Sequence, residues 1–78
     1  MKYSRLHSNL DETVIEEMAH YWQVELILRS RDPSEGQIFA VLDDGLKPGL
    51  ERAKEAADRA IQQYHRCDFR CGPWKEHR

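Results

Sequence analysis

The stretch from Leu50 to Cys67, LERAKEAADRAIQQYHRC, restricts the fold of this chain more than any other. At 100° per residue, Leu50, Ala53, Ala57, Ala60, Ile61 and Tyr64 fall within about 100° of arc. Glu51, Glu55, Asp58, Arg59, Gln62 and Gln63 fill the other side. A helix with one apolar stripe has to bury it against a second layer, and the alanines of this stripe allow a sheet to come close. Pro48 suits the first helical turn, the residues are strong helix formers, and Glu55–Arg59 is a favourable i,i+4 pair. The pattern predicts a helix over 48–66. It extends to 48–71 if the stripe continues through Cys67 and Cys71, with Gly72 and Pro73 as stop signals.

The second layer is found upstream. Trp22, Val24, Leu26 and Leu28 alternate with Gln23, Glu25, Ile27 and Arg29, a period of two that predicts a strand over 21–29. Arg31 to Gly36 is a turn by composition. QIFAVL then predicts a second strand over 37–42, ended by Asp43-Asp44-Gly45. The expected core face of this hairpin is Trp22, Val24, Leu26, Leu28, Ile38, Ala40 and Leu42.

Before the hairpin, Leu10, Val14, Ile15, Met18 and Trp22 recur at helical spacing. Asn9 and Glu12 fit a capping box, and Asp11, Glu12, Glu16 and Glu17 suit the positive end of a helix dipole. A helix is therefore expected over 10–19, after an N-terminal arm over 1–8. Residues 72–78 form a tail. The expected fold is one small α+β domain over 1–78, in α-β-β-α order, with an antiparallel hairpin packed on an amphipathic C-terminal helix. Two strands alone are marginal. Their open edges leave room for a third strand from the tail, a homodimer through a sheet edge, or a partner's strand.

Composition narrows the function classes. With 78 residues the core is small, which leaves little room for a deep active site. Twelve basic residues against fourteen acidic give a net charge of −2, so nothing draws the whole molecule to nucleic acid or to an anionic membrane. No apolar run approaches the roughly 18 residues of a membrane span, and MKYSRLHSNLDET lacks the apolar core of a secretory signal. Two cysteines do not make a disulfide framework. A cytoplasmic, reducing setting is expected.

The chemistry-bearing residues gather near the end. His65, Cys67, Cys71 and His77 are four competent zinc ligands, although the C-x3-C spacing departs from the commoner C-x2-C. As a helical continuation, Cys67 and Cys71 would instead be small buried side chains. Phe69 fits that helix poorly, because it would point about 140° from the stripe; as an extended piece, CDFRC would place Cys67, Phe69 and Cys71 on one side. A Cys67–Cys71 disulfide fits a helix end or tight loop, but a reducing compartment would not hold it. For catalysis, Glu16 and His20 stand i,i+4 on the expected helix, without any accompanying enzyme motif. The expectation is a protein without enzymatic activity and without a bound cofactor.

Two surfaces remain as docking candidates. One is an acidic segment, Asp32, Glu35, Asp43 and Asp44, with no basic residue from 32 to 44; the other is an aromatic-basic tail of Phe69, Arg70, Trp74, Lys75 and Arg78. Aromatic residues with arginine are common interface anchors, and an acidic loop can occupy a basic groove. In size, charge and lack of catalytic motifs the chain resembles the small inhibitors that phages and mobile elements encode, such as anti-CRISPR proteins, with no shared sequence motif. The expected function is that of an inhibitor or adaptor docking on a larger protein or protein–nucleic acid complex. The alternative is a zinc-stabilised nucleic-acid-binding or regulatory module built on the Cys/His cluster.

Overall fold

A computed structural model describes residues 1–8, 11–28, 37–63 and 71–77. Its elements are β1 (Lys2–Leu6), β2 (Glu12–Glu17), β3 (Trp22–Ile27), β4 (Gln37–Val41), α1 (Leu50–Gln62) and β5 (Lys75–His77). The strands form one five-stranded sheet in the order β4-β3-β2-β1-β5, antiparallel at every pairing. The α+β class holds, but the element order is β-β-β-β-α-β. No helix among the described residues is long and apolar enough to cross a membrane.

The largest correction concerns 10–19, which contains strand β2 where a helix was expected. Its middle reads Thr13-Val14-Ile15, three β-branched residues in a row, all buried. Such side chains lose freedom in a helix and pack well in a central strand. The carboxylates read as helix-dipole partners face neighbouring strands instead: Glu12 lies opposite Leu6 and Ile27, and Glu16 opposite Lys2 and Gln23. The expected arm over 1–8 contains β1. It pairs with β2 on one side and with β5 of the tail on the other. Asn9, Leu10 and the Arg31–Gly36 turn lie outside the described residues.

The hairpin strands are present, but β4 has the opposite phase to the one expected. The register places Val41 beside Trp22 and Phe39 beside Val24. Phe39 and Val41 therefore face the core, while Ile38, Ala40 and Leu42 face outward, with Ile38 61% exposed. QIFAVL is apolar on both of its faces, so alternation alone could not choose between them.

The core lies between one sheet face and α1. Tyr3, Ile15, Trp22, Val24, Leu26 and Val41 meet Ala53, Ala57 and Ile61 there. The Trp22 indole N–H donates to the Pro48 carbonyl at 2.9 Å and fixes the approach to the helix. At the β1 side, Arg5 Nη1 donates to both carboxylate oxygens of Asp58 at 3.0 and 3.1 Å. Lys54 Nζ stands 5.5 Å from the centroid of the Tyr3 ring. Tyr3 and Arg5 are two residues apart on a strand, an advance of about 6.6 Å. Lys54 and Asp58 are four apart on a helix, an advance of about 6 Å. The helix therefore runs close to the strand direction, parallel to β1 and antiparallel to β4.

Residues beyond Gln63 up to Arg70 lie outside the described residues, so the expected helical stretch over 64–70 does too. Cys71 is not helical. It forms an isolated bridge with His7, and Gly72 N–H donates to the Leu6 carbonyl at 2.7 Å. Gly72 serves this close approach: a Cβ there would stand 3.0 Å from the Leu6 oxygen.

Candidate functional site

The described residues of the two expected docking surfaces lie at opposite edges of the sheet. Asp43 and Asp44 follow β4. Asp43 and Leu46 exchange backbone hydrogen bonds of 2.8 and 2.9 Å, closing a turn with Asp44 at φ 51° and Gly45 at φ 78°. Positive φ at both central positions is the type I′ geometry, which Asp-Gly favours. Trp74 and Lys75 belong to the β5 edge, four strand spacings or roughly 19 Å away. Trp74 is half-buried against the core, with the Arg5 guanidinium 4.7 Å from its ring centroid. Lys75 is exposed and opposite Ser4. Asp32, Glu35, Phe69, Arg70 and Arg78 lie outside the described residues.

The four-ligand zinc set cannot assemble around one ion. Cys71 is bridged to His7, and His77 is paired with Lys2. These partners are five residues apart along β1, roughly 17 Å. Zinc–sulfur and zinc–nitrogen bonds of about 2.3 and 2.1 Å, added to the side-chain lengths, do not span that distance. His65 and Cys67 lie outside the described residues. Among the described residues no group of three or more His, Cys, Asp or Glu could hold a metal.

Catalytic pairings fare no better. Glu16 lies on a strand and His20 in the exposed turn after it, so their helical i,i+4 relation is gone. Desolvation pushes the Cys71 thiol above its ordinary value, although nearby Arg5 pulls the other way. A thiol held protonated is a poor nucleophile. It lines a cleft of about 550 Å³ beside the β1–β2 turn. Sequence reading missed the polar cluster at that turn: His7, Asp11 and Thr13 are all buried. The His7 ring nitrogen Nε2 pairs with Thr13 Oγ1 at 2.8 Å, and His7 N–H donates to the Asp11 carbonyl at 2.8 Å. These bonds tie the turn down.

The β4 edge is different in kind. Among the described residues β4 has a neighbouring strand on one side only, so alternate N–H and C=O groups of residues 38–41 point away from β3. On the open face it shows Ile38 and Ala40, and beyond it Leu42 at 48% and Leu46 at 72% exposure flank the acidic turn. On the helix face a groove of about 320 Å³ separates β4 from α1, with Phe39, Ala56 and Ala60 as floor and Arg52 and Arg59 on the wall. Neither guanidinium is ion-paired among the described residues. Glu17 binds Lys47 at 2.6 Å and the N-terminal amine at 3.7 Å, and the Lys47 hydrogen bond holds its carboxyl below the usual value.

Comparison with known proteins returns no match: no family model, curated protein or solved structure corresponds to the chain.

Proposed function

We propose that this protein is a non-enzymatic docking module that binds an extended segment of another protein as an added strand on the β4 edge. Its biological role on this reading is that of a cytoplasmic inhibitor or adaptor, of the small phage or mobile-element kind, which works by occupying a partner's surface. The observation that carries the proposal is the combination at β4: a strand with no neighbouring strand beyond it among the described residues, with exposed apolar side chains on one face and a helix-walled groove on the other. Strand addition draws affinity from main-chain hydrogen bonds and specificity from pockets for alternate side chains. The Asp43-Asp44 turn follows β4 outside the groove, and its local negative charge would meet a basic patch of the partner beyond the added strand.

The test is selection of a displayed library of random dodecapeptides against the folded protein. The selected peptide is then made in two forms, N-methylated at one or the other set of alternate residues. Strand addition requires that one methylated form loses binding and the other keeps it. Equal behaviour of the two forms, or no selected peptide, removes the proposal. Sedimentation should show a monomer; a dimer broken by Ile38→Lys would assign the edge to a second copy instead.

A further inference from the structure

We infer that the occupant of the β4 edge is an acidic strand: an extended peptide carrying two carboxylate side chains at positions i and i+4 around an apolar residue at i+2. This inference rests on the strand-addition reading and specifies what it recognises. Successive side chains of an added strand point to opposite faces of the sheet. One set would lie over Ile38 and Ala40 on the open face. The other would project into the groove against Phe39, Ala56 and Ala60.

The groove wall decides the charge. Arg52 and Arg59 both line it, and neither has a carboxylate partner among the described residues. Guanidinium groups match carboxylates in shape as well as in sign. The helix runs along the strands, so spacing on α1 maps directly onto spacing in an added strand. Seven helical residues separate the two arginines by about 10.5 Å. Positions i and i+4 of a strand are about 13 Å apart, and i and i+2 only about 6.6 Å. The wider spacing is the closer fit. It also leaves the central side chain above the apolar floor between Ala56 and Ala60.

End-blocked, fluorescently labelled peptides test this by anisotropy. The probe is Glu-Thr-Val-Thr-Glu within a neutral flank, symmetric so that strand direction does not matter. Its isomer Thr-Glu-Val-Glu-Thr has the same composition and moves both glutamates to the face opposite valine. The probe should bind roughly tenfold more tightly than the isomer, and Arg52→Ala with Arg59→Ala should remove that advantage. The double reversal Arg52→Glu with Arg59→Glu should prefer Lys-Thr-Val-Thr-Lys. Circular dichroism confirms that each variant is folded, as both positions lie on the outer side of a helix. Equal binding of isomer and probe, or no effect of either double variant, overturns the carboxylate assignment. If alternate N-methylation still removes binding in that case, strand addition stands and only the recognised chemistry is wrong. If no library peptide binds the folded protein either, both readings fall together.

Discussion

The two faces of this sheet are made from the same five strands and serve opposite ends. Under α1, Ile15, Val24, Leu26, Ala53, Ala57 and Ile61 are fully buried. On the other face the strands carry Lys2, Glu12, Glu16, Gln23, Glu25, Lys75 and His77, interrupted by Leu6 and Ile38, both more than half exposed. Burial of apolar area, at about 25 cal/mol per Å², concentrates stability on the first face. The second face, on which Val14 is buried, adds less to stability and leaves Leu6 and Ile38 exposed. β4 belongs to both faces: Phe39 and Val41 serve the core while Ile38 and Ala40 serve the surface.

The largest expected effect breaks the covered face. Trp22→Ala removes a 2%-exposed ring and its bond to Pro48, and urea denaturation should show a loss of roughly 3–5 kcal/mol. Ile38→Ala on the open face should stay within about 0.5 kcal/mol. If the two losses are comparable, the faces are not divided as described.

A smaller effect is expected from Arg5, which joins β1 to the helix through Asp58 and to the tail through Trp74. Both partners of the ion pair are partly solvated, so Arg5→Ala should cost about 1–2 kcal/mol. It should also expose Trp74, seen as a red shift of its fluorescence against a Trp22→Phe background.

The smallest effect concerns Glu17 at the end of β2. Its carboxyl is held below the ordinary value by Lys47, so its contribution is present above the ordinary glutamate range, about 4.3. It is lost as pH falls through the lowered value. Thermal melts of Glu17→Gln should show a shallower acid decline than the parent, and added salt should narrow the difference. Identical acid profiles would mean that the Lys47 contact contributes nothing.

How much of this was legible follows from which residues carry an unambiguous period. The stripe through Ala53, Ala57 and Ile61 and the alternation of Trp22, Val24 and Leu26 each bury one side only, so one pattern fits. β1 could not be read, because Arg5 within it and His7 just after it are polar side chains that fold-made partners render tolerable. β2 misled because Val14 is 8% exposed on the face opposite Ile15, and two adjacent buried positions mimic a helical stripe. The proposed docking site was half visible. Asp43 and Asp44 were readable as an acidic turn. Arg52 and Arg59 carried no signal, because only the helix-to-strand alignment places them over one groove.

The most direct measurement is amide hydrogen exchange, residue by residue, with and without saturating Glu-Thr-Val-Thr-Glu peptide. Strand addition predicts new protection confined to alternate amides of Gln37–Val41, with Lys75–His77 unchanged. Protection centred on β5, on the open face of β2, or spread evenly over the sheet would contradict it.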